Sequence, residues 1–371
     1  MQVPTRPAWD RPAVLIHMLL ALAALMLQSA SAASLRDESV MIPKGHGLFR
    51  VELETRIYAP PGDGPFPLVI INHGKEPGNP HFQASSAYYS QALEFVRRGY
   101  AVLAPMRQGF AKSGGFYLNA SCNVEDNGLA QAEDGLAAIA YARTLSYVDM
   151  TRIVVIGQSH GGLTTMALGS LNPPGVVALV NFAGGLHFDS CPGSQRNLVE
   201  AFGSYGKTTH VPSLWMYSDN DSLFPPAIVQ QMLAAYNGAG GHAQLVDFGT
   251  FESDAHTMFG SYSGTSVWLP VVGKFLGSLG LPFEVRYDLR AHARGANIED
   301  VDAVPYLGAS GRAGYRHFLW MSPPRAFALS PDGHWAYRGG AEAPQQALAE
   351  CARQGGTQCV LYAVGQELVT H

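Results

Sequence analysis

The sequence predicts an α/β chain: a doubly wound, mostly parallel sheet followed by a small α+β module at its C-terminal end. Three observations carry this. Short apolar, β-branched runs alternate with longer helix-like stretches between residues 49 and 279, and a run apolar at every position suits a strand covered on both faces. The acidic and basic residues of chemical interest fall just past such runs. Beyond residue 316 the alternation gives way to hairpin signals.

In chain order, residues 49–58 alternate like an antiparallel edge strand. The runs 68–71, 100–104, 153–156, 176–180, 213–217 and 244–248 supply the covered sheet. Between them, 85–98, 125–145, 160–171, 226–236 and 265–279 read as helices, which gives the strand–helix alternation of a doubly wound sheet. The stretch 281–316 is irregular and rich in charge, Ala and Gly, and a linker is placed at 286–316. In the module 317–371, the segments 325–330 and 335–337 flank Pro331-Asp332-Gly333 as a hairpin, 344–353 reads as a helix and 359–364 as a strand. Its expected part is to cover the core, with binding of a substrate or partner as the alternative.

The run Ile153-Val154-Val155-Ile156 breaks into Gly157-Gln158-Ser159-His160-Gly161 and then into a helical segment. A serine hydroxyl is a poor nucleophile unless a sharp strand-to-helix turn holds it where a base can reach its proton and backbone N–H groups can receive the oxyanion. Gly157 and Gly161 fit such a turn, which has no room for β-carbons beside Ser159. With 41 glycines in the chain the pattern alone is weak, and its context matters more. After Ser159, the run 213–217 ends in Ser218-Asp219-Asn220-Asp221, and 244–248 is followed by Asp254-Ala255-His256. Chemistry in open parallel sheets collects outside the carboxyl ends of the strands.

The order Ser, Asp, His is that of α/β-hydrolases, and the stretch 51–279 resembles a dienelactone hydrolase-like member of that superfamily. The matching pieces are Leu68-Val69-Ile70-Ile71-Asn72-His73-Gly74, Arg107-Gln108-Gly109-Phe110-Ala111-Lys112-Ser113-Gly114-Gly115, the serine turn, Ser218-x-x-Asp221 (the family usually has Gly first) and Asp254-Ala255-His256. The resemblance implies the α/β-hydrolase fold and hydrolysis of an ester or related acyl bond. Dienelactone hydrolases proper carry a cysteine nucleophile where this chain has Ser159, so the family name does not name the substrate. The expected catalytic set is Ser159 as nucleophile, His256 as base and Asp221 orienting the imidazole. The expected oxyanion donors are the backbone N–H groups of His160 and Lys75. The side chains of His73 and His160 are expected to hold loops or line the pocket, and Arg107 to anchor its glycine-rich loop, with an anionic substrate as the alternative. Asp219 is the nearest rival acid, while Asp189 and Asp254 are expected to cap or satisfy loops. His242 and His187 are weaker bases than His256, because neither lies in the loop after the last strand. The loops 75–82, 109–127 and 184–197 are expected to shape a partly polar, aromatic-lined pocket.

With 371 residues, 47% of them hydrophobic and 14% charged, the chain can bury a large core. A net charge of −5 leaves no footprint for nucleic acid or an anionic membrane. The 13 histidines show no His-x-x-x-His, His-Glu-x-x-His or Cys-x-x-Cys spacing, so neither a metal nor another cofactor is expected. Residues 1–33 read as a secretory signal peptide. Arg6 and Arg11 precede the apolar stretch 13–27, and 29–33 offers an Ala-x-Ala cleavage pattern near Ala32, with no cysteine after it. The hydrolase part is then 34–285, and the mature protein is expected in the periplasm or outside the cell, with no stable membrane insertion. In such a compartment the four cysteines pair; local pairing within each domain gives Cys122 with Cys191, bracing the pocket, and Cys351 with Cys359.

Three functions fit the sequence: a secreted serine esterase acting on a small or medium acyl ester, a peptidase or amidase of the prolyl oligopeptidase type, and a non-catalytic binding protein that keeps the fold. The first leads. No N-terminal region of propeller length supports the second, and the ordered Ser159, Asp221 and His256 weigh against the third. Oligomeric state and the identity of the ester stay open.

Overall fold

The computed structural model describes residues 35–369 except 84, 87, 188, 189, 262, 288, 290–297, 299, 300, 302, 303, 322 and 366. The signal-like segment 1–33, Asp189 and much of the linker therefore lie outside the described residues. Eight strands, β1 (Arg36–Lys44), β2 (Val51–Ala59), β3 (Phe66–Asn72), β4 (Ala101–Pro105), β5 (Val148–Gln158), β6 (Val176–Phe182), β7 (Ser213–Tyr217) and β8 (Ala243–Asp247), form one sheet. Their order is β1-β2-β4-β3-β5-β6-β7-β8. From β3 to β8 the strands run parallel, while β2 pairs antiparallel with both β1 and β4. This is the mostly parallel sheet that the apolar runs predict.

Six helices cover it: α1 (Tyr89–Arg97), α2 (Val124–Ala142), α3 (His160–Ser170), α4 (Ser194–Gly206), α5 (Pro226–Gly238) and α6 (Thr265–Ser278). Successive residues of a strand serve opposite faces. Leu68 and Ile70 of β3 join Ile153 and Val155 of β5 in the core shared with α2, α3, α4 and α5, whereas Val69, Ile71, Val154 and Ile156 pack with α1 and α6. Every residue of β3 is buried, which explains its unbroken apolar run.

Three elements differ from expectation. The edge is β1, not the 49–58 strand, because Arg36 to Lys44 pairs along the whole of β2. Its charged, half-exposed sequence suits an edge that must not recruit another strand. Helix α4 lies where the pocket loop 184–197 was expected to end. A further helix, α7 (Ala309–Trp320), begins inside the stretch read as linker.

The C-terminal module contains a second sheet of β9 (Arg325–Leu329), β10 (Trp335–Gly339), β11 (Val360–Val364) and β12 (Glu367–Leu368), ordered β10-β9-β11-β12 and antiparallel throughout. Helix α8 (Ala343–Arg353) packs on it through Ala343, Ala347 and Cys351. Both sheets belong to one compact unit. Ser90 on α1 donates to Leu319 O at 3.2 Å, and the Arg325 guanidinium lies over the Tyr89 ring while holding the Phe318 and Met321 carbonyls that end α7.

Both expected disulfides form. Cys122–Cys191 ties the start of α2 to the loop before α4, and Cys351–Cys359 joins α8 to the approach to β11. Two disulfides suit an oxidising compartment of the extracellular kind. Among the described residues no helix is long and apolar enough to cross a membrane.

Candidate functional site

Strand β5 delivers the chain to Ser159, whose φ of 55° and ψ of −125° put a non-glycine residue in a strained conformation before α3 begins at His160. Such a conformation costs on the order of 1–3 kcal/mol and persists only where the surroundings enforce it. They do so here by close approach. A β-carbon on Gly157 would stand 2.0 Å from Gly161 O, and one on Gly161 would stand 2.0 Å from Asn72 O. The elbow is thus wedged against the end of β3, where Asn72 pairs in register with Gly157. Gly74 lies just past it, close enough that an added β-carbon would be 3.5 Å from Ser159 Cβ.

Asp221 and His256 meet beyond β7 and β8. The imidazole Nδ1 lies 3.1 Å from each carboxylate oxygen of Asp221, which makes Nδ1 the protonated nitrogen and leaves Nε2 free to accept. The carboxylate is buried and takes two further bonds, from the N–H groups of Leu223 at 2.8 Å and Phe224 at 3.0 Å. Asp254 caps the short turn Ala255–Thr257 that carries His256, accepting from the His256 N–H at 3.0 Å and the Ser222 hydroxyl at 2.7 Å. Burial acts to raise the Asp254 carboxyl, but these donors outweigh it and hold the group below its ordinary range. Asn220 joins the two loops by bonding Phe251 through both its amide atoms. Asp219 is exposed and makes no bond to His256 among the described residues. His242 and His187 are exposed as well.

Gln158, which sequence reasoning passed over, links base loop and elbow: its Nε2 donates to His256 O at 2.8 Å, and its Oε1 accepts from the Tyr88 hydroxyl at 3.4 Å. Gln91 on α1 holds Phe259 O at 2.9 Å, and Phe259 stacks on Phe182 with ring centres 4.2 Å apart. The Trp320 ring of α7 lies against Gly260, where a β-carbon would be 3.1 Å from it. The variable position inside Gly-x-Ser-x-Gly carries no signal for this role beyond being polar beside the serine.

Arg107, His73, His160 and Lys75 lie close to one another. Arg107 is fully buried, bonded to the His73–Gly74 turn and α3, with its guanidinium 5.0 Å from the ring centre of Phe110 in its own glycine-rich loop. Its Nη2 donates to Gly74 O at 3.0 Å, its Nη1 to Thr164 Oγ1 at 2.9 Å, and its backbone N–H to His73 Nε2 at 3.0 Å. With no exposed surface, the side chain faces these partners and not solvent. The reason is the fork of a guanidinium, which satisfies acceptors on two elements at once. The His160 ring bonds Asn127 Oδ1 through Nε2 at 2.7 Å and meets the Tyr117 ring edge-on. Lys75 is half-buried, with its Nζ on Glu76 O at 3.1 Å and 6.0 Å from the Tyr117 ring centre. Exposed Phe82 and Phe116 stand on two of the expected pocket loops. Among the described residues, no group of three or more His, Cys, Asp or Glu side chains is arranged to hold a metal ion.

Burial, reinforced by the charge of Arg107, pushes His73 and His160 well below the ordinary histidine range, so both are neutral near pH 7. The unfolded chain takes up a proton at each below about pH 6.5, and the folded chain does not. Their stabilising effect is therefore complete above pH 6.5 and is lost as the pH falls. Urea titrations between pH 7 and pH 5 should show stability dropping by up to about 1.4 kcal/mol per pH unit for each histidine, and His160→Gln should remove its share of that slope. An unchanged slope in His160→Gln would refute the assignment.

The chain has the α/β-hydrolase fold, and comparisons with known proteins agree. Residues 46–199 match the model of the X-Pro dipeptidyl-peptidase (S15) family. That match includes Ser159 and stops before Asp221 and His256. The acylaminoacyl peptidase of Pyrococcus horikoshii superposes with a TM-score of 0.51 at 15% identity, covering 77% of this chain and 46% of that one. A puromycin-hydrolyzing peptidase of Mycobacterium tuberculosis gives 0.50 at 17%, covering 69% and 41%. The Pyrococcus furiosus esterase Pf2001 gives 0.48 at 18%, covering 67% of this chain and 93% of the esterase. The chain thus spans less than half the length of either peptidase. No curated protein matches the sequence.

Proposed function

We propose that this protein is an exported serine hydrolase that cleaves a carboxylic ester of small or medium size through an acyl-enzyme on Ser159. The observation that carries the reading is the Asp221–His256 pair, with its free Nε2, in loops tied to the serine elbow by Gln158. In the first half-reaction Ser159 Oγ attacks the ester carbonyl as His256 Nε2 takes its proton, and Asp221 stabilises the imidazolium. The N–H groups of His160 and Lys75 receive the oxyanion. His160 is the first residue of α3, so its N–H has no acceptor within the helix. Collapse of the tetrahedral intermediate expels the alcohol, which takes the imidazolium proton. Water, deprotonated by the same imidazole, then releases the acid and restores Ser159. No cofactor enters this scheme. Export is supported by the two disulfides, which suit an oxidising compartment, and cleavage near Ala32 is part of the same proposal.

A peptidase reading is favoured by the S15 match over 46–199. One experiment separates the readings. Purified mature protein is treated with a fluorophosphonate probe and assayed on p-nitrophenyl esters of graded chain length and on X-Pro and aminoacyl p-nitroanilides. The expected result is Ser159-dependent labelling with ester turnover far above anilide turnover. Anilide turnover in excess makes the protein a peptidase, and failure to label makes it a non-catalytic relative.

A further inference from the structure

Building on the oxyanion assignment of the proposed esterase, we infer that Arg107 is a positioning residue, which aims and polarises the Gly74–Lys75 peptide so that the Lys75 N–H is presented to the oxyanion. The neutral His73 ring accepts the Arg107 backbone N–H at Nε2, so its proton sits on Nδ1, which donates to Gly74 O at 2.6 Å. Arg107 Nη2 donates to that same oxygen at 3.0 Å. One carbonyl thus receives two donors from the buried side, one of them cationic.

The cis peptide bonds among the described residues are Gly64–Pro65 and Pro323–Pro324, so the Gly74–Lys75 bond is trans. In a planar trans peptide the N–H points opposite to the C=O. Fixing Gly74 O on Arg107 and His73 therefore turns the Lys75 N–H away from the interior, at a turn that abuts Ser159. Among the described residues nothing accepts that N–H, which is a donor held without a partner, as an oxyanion hole requires.

The guanidinium also acts by its charge. Among the described residues Arg107 has no carboxylate partner, since Asp134, the acid whose charge reaches it, is paired with Lys44 at 2.5 Å. Burial lowers the Arg107 pKa to about 10, which still leaves it cationic at neutral pH. A lone buried cation bonded to the carbonyl end of a peptide draws electron density toward that oxygen and makes the N–H at the other end a stronger donor. The desolvation of a buried charge is costly unless it is hydrogen-bonded, and Thr164 together with the Gly74 carbonyl supplies those bonds. Lysine, with one compact ammonium, cannot reach Thr164 and Gly74 as a fork does.

The test measures kcat and KM of wild type, Arg107→Met and Arg107→Lys on one p-nitrophenyl ester, with circular dichroism and a thermal melt on each. A donor that matters only in the transition state is lost from kcat and not from KM. Arg107→Met is expected to lower kcat by roughly 10- to 100-fold with KM within about threefold, in line with the cost of a misaimed oxyanion donor. Arg107→Lys should fall between, since it keeps the charge and loses the aim. A folded Arg107→Met with wild-type kcat, or a loss confined to KM, overturns the inference. Should Arg107→Met fail to fold, Arg107→Lys decides it: kcat reduced at constant KM supports the role and wild-type kcat refutes it. A wild type that turns over no ester and takes no fluorophosphonate label is a failure of the esterase reading itself, which the variants cannot mimic.

Discussion

Replacing His256 with alanine should lower kcat for p-nitrophenyl butyrate by roughly 10⁴-fold or more while leaving KM within a few-fold. The imidazole is the group that takes the serine proton in the proposed reaction, and it contributes little to binding an uncharged ester. His73 and His160 are buried, neutral and committed to Gly74 O and Asn127 Oδ1. Structural damage from the change should be small, because the turn around residue 256 is held through backbone atoms, by Asp254 on the N–H and Gln158 on the carbonyl. Steady-state kinetics on the purified variant make the check, and a loss confined to KM would remove His256 from the role of base.

Alanine at Gly161 should cost about 3 kcal/mol or more of stability and disturb the elbow that carries Ser159. Its β-carbon would fall 2.0 Å from Asn72 O and 2.5 Å from His73 O, both backbone atoms of the neighbouring strand end, so no side-chain rotation relieves the overlap. The elbow or β3 must move, and both carry the buried apolar residues of the two main cores. By contrast, a β-carbon at Gly277 on α6 meets nothing within 4 Å, so Gly277→Ala should be neutral or mildly stabilising. Chemical denaturation of the two variants beside wild type provides the comparison, and equal midpoints would contradict the packing argument.

The inner strands of the large sheet were legible because they are buried on both faces and so spell uninterrupted apolar runs, as in β3 and the inner part of β5, whereas β8, at the other edge, has no buried residue. The β1 edge was not. Arg36 to Lys44 holds only one fully buried residue, Ile42, and its charges hide the strand among loop-like residues. Helix α4 has a readable face in Leu198, Ala201, Phe202 and Tyr205, but its first turn lies within the expected pocket loop 184–197. Helix α7 is harder, since Gly311 and Gly314 lower its intrinsic propensity. Packing wins there: a β-carbon on Gly314 would lie 2.2 Å from the Trp335 ring, so the glycine is the condition for the helix to dock. In the site, residues with a motif around them could be named in advance. Partners that act across the fold, such as Gln158 on the base loop and Arg107 on Gly74, could not, because neither contact leaves a trace in local spacing.

The contact of Trp320 with Gly260 bears on how this protein can be cut and rejoined. Gly260 lies four positions past His256, so a boundary drawn anywhere before residue 320 removes the ring that packs on the loop carrying that imidazole. Shortened versions that keep only the larger sheet would retain Ser159, Asp221 and His256 and still lose this support. Anyone dissecting or grafting this protein therefore has to carry α7 along, together with Arg325 of β9, whose guanidinium holds the Phe318 and Met321 carbonyls at the end of that helix.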